Sequence, residues 1–183
     1  MAFVDQTRNR LILKVVLTGP PAVGKTERIV QLRTVGSGKT FGSKTRGYTE
    51  MAMLELDIEN SRRPVEVEVY EWHGPERSDL RDSALFTGLD GVVFIADARE
   101  DRLVDTRGAF KWLNETAGKT RIVRLPSIMI LSRQDEGLLR LPLISKELQG
   151  PTWSQLLDIS HDAAEPFVEA VRMLGELMVA RAL

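Results

Sequence analysis

The chain has 183 residues, of which 43% are hydrophobic and 28% are charged, and its formal net charge is −1. This length and composition predict a single domain, residues 1–183, with a sizeable core. The near-neutral charge argues against a general nucleic-acid-binding surface, and the absence of cysteine excludes disulfides and thiolate metal sites. No apolar run reaches membrane-spanning length and the N-terminus lacks a signal-peptide core, so we expect a cytoplasmic protein without direct membrane insertion.

The first predicted elements are a strand at residues 11–18, a loop and a helix at residues 25–34. The loop and helix start have the sequence Gly-Pro-Pro-Ala-Val-Gly-Lys-Thr at 19–26, with the spacing G-x-x-x-x-G-K-[ST]. In this motif backbone N–H groups surround nucleotide phosphates, the lysine contacts them, and the hydroxyl is offered to Mg²⁺. The helix N-terminus adds a partial positive charge. We predict a phosphate site formed by Gly19, Ala22, Val23, Gly24, Lys25, Thr26 and Glu27.

The rest of the chain predicts an α/β fold. Residues 36–48 predict a loop, and the period-two segments 51–57 and 65–70 predict a hairpin that is the one antiparallel pair. Further strands are predicted at 91–97, 127–131 and 153–159, and helices at 106–116, 145–148 and 166–182, with one more helix between the third and fourth strands. This order is typical of a six-stranded, mostly parallel sheet covered by helices on both faces. In such sheets ligands bind beyond the carboxyl ends of the strands.

Candidate metal and phosphate residues follow the third predicted strand. The segment there is Glu-Trp-His-Gly at 71–74. The backbone N–H of Gly74 can approach a γ-phosphate, and Glu71 can reach Mg²⁺ through water. Thr49, at the end of the preceding loop, can complete the Mg²⁺ shell beside Thr26 when a third phosphate is present. Thr45 is the alternative, and Thr49 as an ordinary strand-start threonine is the simpler interpretation. Two interpretations stay open for the tryptophan at position 72, packed under the loop or exposed to a partner.

Candidate base-binding residues follow the fifth and sixth predicted strands. Asp135, in the segment Ser-Arg-Gln-Asp at 132–135, can accept two hydrogen bonds from the N1–H and N2–H₂ edge of guanine, which adenine does not offer. The backbone N–H groups of Ser160 and His161 can contact the base carbonyl. The simpler alternatives are a solvated aspartate and an ordinary loop histidine. Arg99, two residues after the acidic end of the fourth predicted strand, is expected to be solvated.

These motifs give the chain a family resemblance along essentially its whole length. The octet at 19–26 and the stretch Leu-Asp-Gly-Val-Val-Phe-Ile-Ala-Asp-Ala at 89–98, with Arg102 beyond it, resemble Ras-like small GTPases. The resemblance is closer to the bacterial gliding-motility and polarity GTPases of the MglA type, whose third-strand turn also lacks the usual aspartate.

The resemblance implies a single P-loop GTPase domain that binds GTP and GDP with Mg²⁺ and hydrolyses GTP slowly. It implies nucleotide binding by Ser132 and Arg133 as well, catalytic roles for Lys25, Thr49 and Gly74, and metal binding by Thr26, Thr49 and Glu71. Two switch loops, about 36–49 and 73–85, would contact effectors and an MglB-like roadblock-fold partner that assists hydrolysis. The implied location is the cytoplasm, with recruitment to a cell pole.

The sequence departs from the family pattern at several positions. Pro75 stands where glutamine usually orients the attacking water, and proline has neither a side-chain amide nor an N–H. Pro21 replaces a P-loop glycine, and Ser132 and Arg133 replace asparagine and lysine, although arginine can still stack on a base. The sequence therefore leaves open a slow, partner-dependent GTPase, a pseudo-GTPase that binds nucleotide and acts as a scaffold, and, least favoured, an ATP-using phosphotransferase.

Overall fold

A computed structural model of the chain describes residues 3–35, 51–58, 61–74, 85–133, 135–137, 139–148, 153–160 and 162–182. The strands are β1 (Phe3–Asp5), β2 (Arg10–Thr18), β3 (Met51–Leu56), β4 (Val65–Glu71), β5 (Gly91–Asp97), β6 (Ser127–Ser132) and β7 (Gln155–Asp158). The helices are α1 (Lys25–Val35), α2 (Leu103–Ala117), α3 (Lys119–Ile122), α4 (Leu141–Leu148) and α5 (Ala164–Ala182). A 3₁₀ turn, Glu100–Arg102, precedes α2.

The strands form one mixed sheet in the order β3-β4-β2-β5-β6-β7, with β1 paired to β2. Neighbouring strands from β4 to β7 run parallel, whereas β3 is antiparallel to β4. The prediction of an α/β fold with a mostly parallel sheet is confirmed. Because β2, β4, β5, β6 and β7 point the same way, their carboxyl ends meet at one edge of the sheet, where ligands bind in such folds.

The predicted strand number is wrong, because β1 adds a seventh strand and a second antiparallel pair. Its residues pair with the start of β2, from Phe3 opposite Ile12 to Asp5 opposite Arg10. The Asp5 carboxylate accepts hydrogen bonds from the backbone N–H groups of Thr7 and Arg8 in the turn that follows, at 2.9 and 3.1 Å. Three residues are too few to show a period-two pattern, so the local sequence carries no strand signal here.

Helices cover both faces of the sheet, as predicted. On one face Leu13, Val15 and Leu17 of β2 belong to the apolar core that includes residues of α1 and α5. On the other face Val16 of β2 and Phe94 of β5 belong to the core that includes residues of α2 and α4. Every residue of β5 is buried, so this central strand contributes side chains to both cores.

Several element bounds differ from the predictions. Helix α2 begins at Leu103 rather than 106, because it continues directly from the 3₁₀ turn, and α4 begins at Leu141 rather than 145. Strand β7 is shorter than predicted, and α3 was not predicted. The predicted loop at 36–48 and most of the region expected to hold a helix between the third and fourth strands, 75–84, lie outside the described residues. Within the described residues no helix combines the length and apolar character needed to cross a bilayer.

Replacement by alanine is expected to have opposite effects on stability at two helical glycines, because their surroundings differ. A Cβ at Gly175 in α5 would overlap Cδ1 of Leu56 and lie 3.2 Å from Cγ2 of Val67, whereas a Cβ at Gly108 in α2 meets nothing within 4 Å. Alanine favours a helix by about 1 kcal/mol over glycine. We therefore expect Gly108→Ala to raise the free energy of unfolding by about 0.5–1 kcal/mol, and Gly175→Ala to lower it by about 1–3 kcal/mol through overpacking. Urea unfolding of both variants tests this, and a gain for Gly175→Ala would contradict the described packing of α5.

Candidate functional site

The loop between β2 and α1 passes very close to strand β5. A Cβ at Gly19 would overlap the carbonyl oxygen of Ile95, so only glycine fits at this point. Ala22 adopts a positive φ of 59°, a conformation that is uncommon outside glycine. The first helical hydrogen bond runs from the N–H of Arg28 to the carbonyl of Gly24. The N–H groups just before it are therefore at a helix N-terminus, which favours anions.

A cavity of about 390 Å³, here called the β2–α1 cavity, opens beside this loop. Its volume lies within the usual range for small-molecule sites. Three parts of the chain form it: the loop with the first turn of α1, the end of β4, and the end of β6. The lining residues are Pro21, Ala22, Gly24, Lys25, Thr26, Glu27, Glu71, His73 and Arg133. All except Pro21 and His73 are predicted nucleotide- or metal-binding residues.

The side chain of Lys25 folds back onto the loop that precedes α1 and binds its backbone. Its ammonium donates to the carbonyl oxygens of Gly19 at 3.0 Å and Pro20 at 2.7 Å, and the residue is only 4% exposed. Burial lowers the pKa of Lys25 to about 8, although the negative charges of Glu71 and Glu27 act in the opposite direction. A cation therefore lies at the helix N-terminus, bound by neutral carbonyl groups.

Thr26 and Glu71 bring oxygen atoms together at the same cavity. The Thr26 hydroxyl donates to Glu71 Oε1 at 2.9 Å, and Nε2 of His73 lies 3.3 Å from that oxygen. Glu71 is buried at the end of β4, where it pairs with Leu17 of β2. Hydroxyl and carboxylate oxygens are ligands that Mg²⁺ accepts. The described residues contain no group of three or more His, Asp or Glu able to hold a metal by themselves, so Mg²⁺ would need phosphate or water ligands too.

The tryptophan that follows Glu71 is packed in the interior and is not exposed to a partner. Trp72 is 3% exposed and packs edge to face on Phe86, with ring centroids 5.1 Å apart. The backbone N–H of Trp72 donates to the carbonyl of Leu17 at 2.9 Å, which extends the pairing of β4 with β2. Gly74 is buried with a positive φ of 92°, and it does not line the cavity. Thr49 and Pro75 lie outside the described residues.

The end of β6 contributes one predicted base-binding residue to the cavity and keeps another outside it. Arg133 lines the cavity, with a positive φ of 64°, and its guanidinium donates to Glu136 at 2.9 Å. Ser132 is fully buried, and its hydroxyl has no hydrogen-bond partner among the described residues. Asp135 is exposed and is not among the residues that line the cavity. The structure thus places Arg133, but not Asp135, beside the predicted phosphate residues.

Arg99 is not the solvated residue that the sequence predicts. Its guanidinium binds both carboxylate oxygens of the fully buried Asp97, at 3.0 and 2.7 Å, and Glu136 at 3.3 Å. The hydrogen bonds to Asp97 raise the pKa of Arg99 above its ordinary value. Because Glu136 binds both Arg99 and Arg133, these ion pairs join the carboxyl ends of β5 and β6. The expectation failed because the sequence does not show that Asp97, two residues before Arg99, is fully buried and takes the guanidinium as its partner.

Arg28 is a second residue that sequence reasoning missed. Its guanidinium reaches the segment after β7, where it binds the carbonyl of Ser160 at 2.7 Å. Ser160 itself is exposed, its hydroxyl donates to Asp162, and it does not line the cavity. A signal was available, because positions 25, 28, 29 and 32 form the buried face of α1 at helical spacing.

Val23, predicted to bind nucleotide, has its side chain in the apolar core. His161, predicted to contact the base, lies outside the described residues.

No family model and no curated protein matches the chain.

The Arg99–Asp97 pair predicts a large stability effect at the edge of the site. Arg99→Gln leaves the buried Asp97 carboxylate without its bidentate cation, and because the Arg99 side chain is 27% exposed, we expect the free energy of unfolding to fall by about 1–3 kcal/mol. Arg107→Gln is the matched control, because it breaks an ion pair with Glu147 whose two side chains are 48% and 35% exposed, and should cost less than about 1 kcal/mol. Chemical denaturation measures both, and equal losses would contradict the role given to Asp97.

Proposed function

We propose that this protein is a guanine-nucleotide-binding switch that holds GTP or GDP with Mg²⁺ in the β2–α1 cavity. The observation that carries the proposal is the buried ammonium of Lys25 at the N-terminus of α1, beside a cavity of ligand size. A polyphosphate carries the negative charge that both the ammonium and the helix end favour. The motif spacing at 19–26 gives independent support, because it pairs this lysine with a hydroxyl at the next position.

The Lys25 contacts suggest how phosphate enters. The ammonium has three hydrogens, and the carbonyls of Gly19 and Pro20 accept two of them. A phosphate oxygen is a stronger acceptor than a carbonyl because it is charged. We expect bound phosphate to attract the ammonium and to hold its proton. The N–H groups at the start of α1, which precede the first helical hydrogen bond, then bind the remaining phosphate oxygens.

Thr26 and Glu71 are the described residues that would hold Mg²⁺, the first through its hydroxyl and the second directly or through water. When bound, the metal neutralises phosphate charge and fixes the orientation of the phosphate chain. The 2.9 Å hydrogen bond between the Thr26 hydroxyl and Glu71 keeps these two candidate metal-ligand oxygens close together. Thr49 completes this set in the proposal, as the residue that responds to the third phosphate.

Arg133 and Asp135 supply base recognition in the proposal. The guanidinium plane of Arg133 offers a surface on which the base can stack, and Glu136 orients it. Asp135 accepts hydrogen bonds from the two donors on the guanine edge, a pair that adenine lacks. Asp135 is exposed outside the cavity lining, which is compatible with a base that extends from the cavity along the loop.

Slow hydrolysis completes the proposed switch, with Lys25, Thr49 and Gly74 as its catalytic residues. Pro75 cannot orient water through a side-chain amide, so efficient turnover would need a partner, for which the resemblance suggests an MglB-like roadblock-fold protein. Control of bacterial motility or polarity, effector binding through the switch loops and recruitment to a cell pole rest on that resemblance alone.

Pro75 favours a second candidate, a pseudo-GTPase scaffold that binds nucleotide without turnover. Single-turnover phosphate release without a partner separates the two functions. The switch releases phosphate slowly, whereas the scaffold releases none.

The identity of bound nucleotide tests the proposal directly. We expect protein purified under native conditions, or loaded with nucleotide and Mg²⁺, to release GDP or GTP on denaturation, measured by chromatography. Lys25→Ala should weaken GDP binding by roughly a hundredfold, because about 3 kcal/mol of charge-assisted contact is lost. Lys111→Ala is the control, because this exposed lysine pairs with Glu115 on α2 away from the cavity. Adenine nucleotide in place of guanine, or full affinity in Lys25→Ala, would contradict the proposal.

The pKa of Lys25 predicts how binding depends on pH. In the free protein this pKa is about 8, and bound phosphate raises it, so binding takes up a proton above pH 8. The affinity for GDP should therefore fall as pH rises, by roughly eightfold between pH 7.5 and 9. Calorimetric titration in buffers of different ionisation enthalpy measures both the affinity and the proton uptake. Lys25→Arg is the control, because a guanidinium stays charged over this range and its weaker binding should not change with pH.

A further inference from the structure

Arg28 is the largest fully buried side chain among the described residues and is 1% exposed. One terminal nitrogen donates to the carbonyl of Ala163 at 2.9 Å, and to the side chain of Gln31 at the same distance. The other donates to the carbonyls of Ser160 at 2.7 Å and Ile159 at 3.2 Å. A single guanidinium thus binds three backbone carbonyls of the segment 159–163, here called the β7–α5 segment.

The chemistry of these contacts makes them rigid. Burial lowers the pKa of Arg28 to about 10, so the charge is held at an energetic cost that the carbonyl oxygens offset. The guanidinium also lies 5.0 Å from the ring centre of Phe167, in the first turns of α5. Its donors form a fixed planar fork, whereas a lysine ammonium is a single point on a flexible stem. Lysine would hold fewer of these carbonyls in one geometry.

The Arg28 contacts also set the direction of the backbone in the β7–α5 segment. The C=O and N–H groups of one planar trans peptide point in opposite directions. Because the Ile159 carbonyl points to Arg28, the N–H of Ser160 points away from Arg28. On the helix side, Arg28 is one turn from Gly24 and lies on the same buried face as Lys25. The phosphate end of α1 and the backbone after β7 are therefore joined by one side chain.

We propose that Arg28 is a positioning residue that fixes the β7–α5 segment against the phosphate-binding end of α1. The inference rests on the proposed function, in which phosphates bind near Lys25 and the backbone at Ser160 faces the base. Arg28 touches neither end of the nucleotide and acts through the backbone of the segment. It keeps the base-binding and phosphate-binding ends at a fixed separation, so its loss should weaken binding of a whole nucleotide more than binding of a phosphate chain.

Two ligands and three variants test this. We expect Arg28→Gln to raise the Kd of GDP at least tenfold and Arg28→Lys to raise it by a smaller factor. The inhibition constant of inorganic tripolyphosphate, measured by displacement of a fluorescent GDP analogue, should stay within twofold. Arg33→Gln is the matched control, because Arg33 lies on the same helix and binds a backbone carbonyl, that of Met51, at 2.9 and 2.6 Å. It should leave both constants within twofold.

Hydrogen exchange of the GDP-bound proteins gives a readout that does not depend on tripolyphosphate. The peptide covering 155–168 should exchange faster in Arg28→Lys than in wild type, while the peptide covering 11–25 should not change. Arg28→Lys carries the test if Arg28→Gln does not fold. Unchanged exchange, or equal weakening of GDP and tripolyphosphate, would overturn the inference alone. Wild-type protein that binds neither ligand would overturn the proposed function and the inference with it.

Discussion

The contact between the Lys25 ammonium and the carbonyls of Gly19 and Pro20 is the interaction on which the site depends. An ammonium taken out of water is costly unless oxygen atoms surround it, so the loop must curve to present its carbonyls. That curvature needs glycine at position 19, where strand β5 leaves no room for a Cβ. The position of strand β5, the curvature of the loop and the position of the Lys25 ammonium therefore depend on one another. Because the loop is already ordered around a positive charge before any ligand binds, less free energy is needed to order the loop around a bound anion.

Further cationic contacts hold the surrounding segments in place. Arg99 binds the buried Asp97 at the end of β5, Glu136 links it to Arg133 at the end of β6, and Arg28 binds the segment after β7. The contacts of Glu136 and Arg28 join segments that the sheet brings together at its carboxyl edge, whereas the Arg99–Asp97 pair closes the end of β5 itself. Parallel strands without direct hairpins leave this edge to loops, which have few apolar residues to pack. Arginine suits such a position because one planar group can bind several oxygens from separate segments.

The sequence predicted the long buried elements well and the contacts between distant residues poorly. Strand β5 has the predicted bounds, because six consecutive apolar residues followed by one aspartate leave one interpretation, whereas β1 pairs through three residues without a pattern of its own. Of the seven residues predicted to form the phosphate site, five line the β2–α1 cavity: Ala22, Gly24, Lys25, Thr26 and Glu27. Helical spacing could have indicated that Arg28 lies on a buried face, but the sequence analysis did not use it, and local sequence does not say which carbonyls a buried guanidinium binds. The exposure of Asp135 outside the cavity depends likewise on how its loop packs, which spacing does not encode.

Lys25 and Arg28 are three residues apart on one helix face, and burial lowers the pKa of both, yet their partners differ in kind. Lys25 binds carbonyls of its own loop, so a ligand can draw the ammonium away while the rest of the fold keeps its contacts. Arg28 binds carbonyls of a distant segment, and exchange of those bonds would remove the hydrogen bonds that connect this backbone to α1. The nucleotide switch proposed above would need both behaviours: an exchangeable cation where phosphate binds and leaves, and a fixed cation that keeps the two ends of the proposed site at a constant separation.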